Sequence, residues 1–189
     1  MTPGHRRTEH AVLVFIDGTI GDTRHRRHLL GHPDFYGRAE LLGDTPVPGS
    51  VECLGRLARR YTIVYVGARP AATRSYTEEW LLRHGFPHGP ICLGPTQEER
   101  LALVRRLRRK FDFVAGIGDR WDDNELHLAL GCLSIILKEF AGNWATVRKY
   151  LPATDGLRRK LVGRPRRGRK SHGSTKRSRT HPRPRRPRR

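Results

Sequence analysis

The sequence predicts an α/β fold of three layers, with a parallel central sheet covered by helices on both faces. Three observations predict it. Short apolar runs alternate with segments of helical period along most of the chain. Several helical segments open on a recognisable N-terminal signature. Carboxylates follow two of the apolar runs directly, at Asp17 and Asp119. Strands alternating with helices form βαβ units with right-handed crossovers, and such sheets bind ligands at the carboxyl ends of their strands.

The elements follow in order. Ala11–Ile16 reads as a strand of β-branched and aromatic residues. After Pro48-Gly49, residues Val51, Leu54, Leu57 and Ala58 make one apolar helix face. Tyr61–Val66 is a second strand, closed by Gly67. Ser75-Tyr76-Thr77-Glu78 matches a capping box, so a helix runs across it to His84 and stops at Gly85. Pro90–Leu93 is a short buried strand. Thr96-Gln97-Glu98-Glu99 is a second capping box, leading into the stripe Leu101, Val104, Leu107. Phe111–Ile117 is a strand and Asp122–Leu130 a helix opened by Asp-x-x-Glu. Leu133–Leu137 and Asn143–Leu151 are the last strand and helix. Trp121 and Trp144, near helix starts, read as packing residues.

Residues 20–50 break the pattern. They hold Arg24-His25-Arg26-Arg27-His28, Leu29-Leu30 and Phe35-Tyr36, and read as a short, partly helical insertion. The basic run is either a solvated helix or a contact for phosphate groups.

Charge divides the chain. The net charge is +20, from 38 Lys and Arg against 18 Asp and Glu. Every acidic residue lies at or before Asp155, and residues 157–189 hold 16 of the basic ones. The expected organisation is an N-terminal arm (1–10), a globular body (11–155) with its insertion at 21–49, and an Arg-rich tail (156–189). The tail has too little apolar surface to offset its ordering entropy and is expected to be disordered. Its charge fits sequence-nonspecific binding of nucleic acid through residues 157–189, where released counterions favour the complex. A targeting signal or a solubilising extension would have the same composition. A body of this size buries roughly 70% of its unfolded-chain surface.

Three widely spaced cysteines, Cys53, Cys92 and Cys132, read as buried reduced thiols of a cytoplasmic protein. The apolar runs are far shorter than the ~20 residues that span a bilayer, so no membrane partner is expected. The first ten residues do not form a signal peptide.

Two motifs carry chemistry. Val12-Leu13-Val14-Phe15-Ile16-Asp17-Gly18-Thr19 places a carboxylate and Gly-Thr after a strand, and Gly118-Asp119-Arg120-Trp121-Asp122-Asp123 places two carboxylates between a strand and a helix. Mg²⁺ takes a few carboxylates together with water and phosphate oxygens. The pair resembles the first and fourth motifs of the haloacid-dehalogenase-like (HAD) phosphohydrolases, over roughly residues 11–151. The resemblance implies a HAD fold with a minimal cap at the insertion and a Mg²⁺-dependent hydrolase acting on a phosphate ester. It implies Asp17 as acid/base, Asp17, Asp119 and Asp123 around the metal, and Thr19, Gly67 and Arg100 around the phosphate.

The family pattern is incomplete here. Its first motif reads Asp-x-Asp-Gly-Thr, and Phe15 stands where the nucleophilic Asp belongs. Loss of a nucleophile can cost on the order of 10⁶ in rate. Gly67 stands where the family has a hydroxyl, and only its N–H remains to donate. Arg100 is the nearest match to the family's Lys, or else a surface residue of its helix. Arg69 is a phosphate contact or a solvated loop residue. Two alternatives restore a carboxylate: a shifted register with Asp17 as nucleophile, or Asp22 entering from the base of the insertion. The other reading is a catalytically inactive protein of this fold that binds a phosphorylated ligand or nucleic acid.

Overall fold

The computed structural model describes residues 8–152. The tail assigned to nucleic acid and most of the N-terminal arm lie outside the described residues. Five strands form the central sheet: β1 (Glu9–Phe15), β4 (Thr62–Gly67), β5 (Ile91–Leu93), β6 (Phe111–Gly118) and β7 (Leu133–Ile136), in the order β5-β4-β1-β6-β7. All neighbouring pairs are parallel. Helices α2 (Ser50–Leu57), α3 (Arg74–Arg83), α4 (Gln97–Leu107), α5 (Trp121–Leu130) and α6 (Trp144–Tyr150) follow the strands. The fold class expected from the sequence is the one observed.

The period of two along β1 makes the layers. Val12, Val14 and Ile16 face one core, with Leu54 and Leu57 of α2, Trp80 and Leu81 of α3, and Trp144 and Val147 of α6. Ala11, Leu13 and Phe15 face the other, with Val104 of α4 and Leu126 and Leu130 of α5. β1 is therefore buried on both faces, as a central strand of a parallel sheet should be.

Between β1 and α2 the chain makes the expected excursion. A two-residue antiparallel pair, β2 (Gly21–Asp22) with β3 (Thr45–Pro46), closes its base. Two 3-10 turns, Arg24–Leu29 and Pro33–Tyr36, and the short helix α1 (Arg38–Gly43) fill it.

Helix starts differ in instructive ways. The Thr96 box forms in full: its hydroxyl accepts from the Glu99 N–H, and the Glu99 carboxylate accepts from the Thr96 N–H. The Ser75 box does not form. Pro70 starts a 3-10 turn over Ala71–Thr73, so α3 begins earlier, with Thr73 as its N-cap. The Thr73 hydroxyl donates to the Pro70 carbonyl instead of capping. α5 starts at Trp121, and Asp123, not Asp122, accepts from the N–H groups of Asp119 and the N-cap Arg120 that lead into it.

Trp144 packs in the core as expected, but Trp121 is 74% exposed. The inward stripe of α5 is Asp123, Leu126, His127 and Leu130, which leaves Trp121 outside, its indole N–H donated to Glu125. All three cysteines are buried and unbonded. No helix among the described residues is long and apolar enough to cross a membrane.

Candidate functional site

β1, β4 and β6 end together, and the loops after them carry the candidate residues. β1 runs out at Phe15. Gly18 then takes φ +87°, and its amide donates back to the Gly21 carbonyl. The turn needs glycine for a second reason: a Cβ at Gly18 would collide with the Asp119 carboxylate. Asp17, Thr19 and Asp119 are thus brought to one place, and the Thr19 hydroxyl donates to Asp119 Oδ1.

Asp17 is not a free carboxylate. Its Oδ1 accepts from Arg69 Nη2 at 2.6 Å and from Arg26 Nη2 at 2.9 Å, and its Oδ2 accepts from Arg69 Nε at 3.0 Å. Both arginines are fully buried. They share a second acid, Asp44, which accepts from Arg26 Nε at 2.7 Å and from Arg69 Nη2 at 2.8 Å. Arg26 also donates to the Phe35 carbonyl and lies over the Phe35 ring, and Arg69 donates to the Thr77 hydroxyl. Two acids and two bases therefore form a neutral cluster that ties the insertion, through Arg26 and Asp44, to the heads of β1 and β4. Burial opposes the charge on Asp17, but Arg69 and then Arg26 outweigh it and hold the carboxyl below its ordinary range.

Asp119 has the opposite environment. Burial pushes its pKa up to about 7, with Asp123 and Glu139 adding to the rise against the Thr19 hydrogen bond. Its Oδ2 is buried without a partner. Asp123 is raised to about 6, again mainly by burial, and its Oδ2 accepts from the N–H groups of Asp119 and Arg120.

The donor set does not fit a Mg²⁺ ion. Among the described residues no group of three or more His, Cys, Asp or Glu converges as a metal site. Among the described residues Asp119 Oδ2 is the one carboxylate oxygen buried without a partner. Asp17 is turned onto two guanidinium groups, Asp123 caps its helix, and Phe15 offers no oxygen.

Phe15 is a core residue, 5% exposed, with its ring edge-to-face on His127 at 5.6 Å. His127 hydrogen-bonds Ser134 through Nδ1, and burial lowers its pKa to about 4. Gly116 leaves room for that imidazole, because a Cβ there would overlap it.

The other expected positions are accounted for. A Cβ on Gly67 would meet Leu93 Cδ2 at 3.1 Å and Ile16 Cδ1 at 3.3 Å, so packing favours the missing hydroxyl's absence. Arg100 is buried, donating to the carbonyls of Gly94 and Pro95 and to Asp122 Oδ2 at 3.2 Å. It braces the loop before α4 and is not a surface residue. Asp22 is held by Arg24, which also lies over the Phe140 ring at 5.4 Å. Phe140 has φ +57°, and its N–H donates to the Gly18 carbonyl, so the loop after β7 closes on the same turn.

Sequence reasoning missed Asp44 and left Arg26 and Arg69 undecided. A buried arginine looks the same in sequence as a solvated one. The only available signal was the odd placing of a charge in Leu41-Leu42-Gly43-Asp44.

No family model matches this chain, and no curated protein matches it. Solved structures do. A structure of a Pnkp1/Rnl/Hen1 RNA repair complex superposes with a TM-score of 0.58 at 16% identity over 73% of this chain. The chain spans only 44% of the length of that relative. The class C acid phosphatase of Bacillus anthracis gives 0.54 at 21% identity, over 74% of this chain and 71% of its own. A haloacid dehalogenase-like hydrolase of Xanthomonas campestris gives 0.53 at 15%, over 76% of this chain and 96% of its own. The fold of this chain is that of the haloacid dehalogenase-like hydrolases.

Proposed function

We propose that this chain binds a phosphate ester at the carboxyl ends of β1, β4 and β6, without the covalent turnover that a carboxylate at position 15 would provide. The observation that carries the reading is the state of the two site carboxylates. A dianionic phosphate is repelled by bare carboxylates. Asp17 is neutralised by Arg26 and Arg69, and Asp119, with its pKa raised to about 7, takes up a proton readily beside an anion. Protonated Asp119 donates a hydrogen bond where the ionised form would repel. Thr19 supplies a hydroxyl at the same point. The buried Phe15 ring leaves no nucleophile on β1.

A phosphohydrolase weakened by Phe15 is the second reading. It is supported by the hydrolases among the structures of like fold.

Calorimetric titration with inorganic phosphate, and hydrolysis of a generic phosphomonoester with Mg²⁺, separate the two. Saturable phosphate binding with no turnover is the expected result. Turnover that Asp17→Asn abolishes would replace the first reading with the second. Failure to bind phosphate, with no turnover, would overturn both.

A further inference from the structure

The two ends of the sheet treat arginine in opposite ways. At the carboxyl end Arg26 and Arg69 are buried and paired. At the amino end most cations are exposed, and several of those have no acid. The end of α4 reads Arg105-Arg106-Leu107-Arg108-Arg109-Lys110, with every cation exposed. Among the described residues no carboxylate pairs with Arg105, Arg106, Arg108 or Arg109. The helix dipole rewards a cation or two in a last turn. It does not account for five in six residues running past the helix end.

Other elements deliver charge to the same end. The Glu9 N–H donates to the Lys110 carbonyl, which sets the end of α4 beside the start of β1. A cleft of about 1080 Å³ lies there, lined by His10, Arg59, Arg60 and His88 among others. A smaller one, of about 210 Å³, brings Arg56 of α2 against Arg148 and Leu151 at the end of α6. Acidic groups are few at this end: Asp112 is engaged by His10, Glu52 pairs with Arg56, and Glu9 lines the larger cleft.

We infer that the amino end of the sheet is a binding surface for the phosphate backbone of nucleic acid, centred on the end of α4. The body is thus a reader of polyanion in its own right, on the face opposite the phosphate-ester site. Crowded cations of like charge repel one another, and a polyanion relieves that repulsion while releasing its counterions. Of the aromatic rings at this end Tyr61 and Phe111 are buried and only Tyr150 is exposed, so the cations and the nucleic-acid backbone carry the recognition.

The test uses the full chain. Binding of a fluorescent 20-base-pair DNA of mixed sequence is followed by anisotropy from 50 to 200 mM salt. Arg105→Glu with Arg109→Glu is compared with Arg24→Glu with Arg27→Glu, which changes net charge equally on the insertion. The α4 pair is expected to weaken binding at least tenfold and to lower the salt slope by about 2, at ~0.9 per phosphate contact. The insertion pair is expected to change affinity less than threefold. Equal losses in both pairs, or no loss in the α4 pair, would overturn the inference and leave binding to net charge or the C-terminal segment. Loss of binding to phosphatidylserine vesicles, with DNA binding intact, would overturn it in favour of a membrane surface.

Discussion

Replacing Phe15 by Asp restores the family's first motif on paper, and the structure predicts that it damages the protein. The ring is 5% exposed, in the core shared with α4 and α5. Removing a buried Phe ring costs roughly 3–5 kcal/mol. The edge-to-face contact with His127 adds about 0.5–1.5 kcal/mol. In a domain of this size each kcal/mol moves Tm by about 2–4 °C, so the variant should melt on the order of 10 °C lower. Phe15→Leu, which keeps an apolar side chain, should cost under about 1.5 kcal/mol. Urea denaturation followed by circular dichroism measures both. Mg²⁺ is the informative additive. It should leave the parent's midpoint unchanged, and it should raise that of Phe15→Asp, whose added carboxylate joins the unpartnered Asp119 Oδ2 as an acidic oxygen at this end of the sheet. Loss of less than about 1 kcal/mol in Phe15→Asp would refute the placing of this ring in the core.

Two further outcomes follow from buried charge. Arg69→Ala leaves Asp17 and Asp44 short of a partner and should cost roughly 3–5 kcal/mol, part of which Asp17→Asn should restore in the double variant; additive losses in a denaturation cycle would mean the pair is not coupled. His127, with a folded pKa of about 4 against an ordinary value near 6.5, stays neutral when folded and protonates more readily when unfolded, so its contribution is complete above pH 6.5 and is lost as pH falls through 4. Relative to His127→Asn, the parent should therefore lose about 3 kcal/mol over that interval, and a stability difference independent of pH would contradict it.

The strands were legible because burial on both faces demands continuous apolar runs, and Val, Ile, Leu, Phe, Ala and Tyr65 supply them along β1 and β4. Gly18 and Asp119 were legible together because a tight turn against a carboxylate tolerates no side chain. The ionic cluster was not. Arg26 stands in a run of His and Arg whose other members reach solvent, and nothing local distinguishes it. What buries it is Asp44, eighteen residues away, at a position with no periodic signal. α5 misled for a related reason. Its inward stripe carries Asp123 and His127, so a helix read by apolar period alone turns Trp121 inward, where the structure has it out.

Charge balance explains why Phe15 and the ionic cluster belong together. Asp17 and Asp44 carry two negative charges, and Arg26 and Arg69 carry two positive ones, all within hydrogen-bonding reach. A buried cluster is tolerable only when its charges cancel and its hydrogen bonds are made. A carboxylate at position 15, two residues before Asp17, would add a negative charge that this set cannot cancel. It would require a cation from outside or a proton. With Phe15 in place the head of the sheet closes on itself: the insertion is pinned to β1 and β4 by its own arginine, and the remaining acid, Asp119, lowers its charge by protonation. The aromatic substitution and the arginine cluster thus form one arrangement. It fills the head of the sheet with an apolar ring and a self-neutralised ionic cluster.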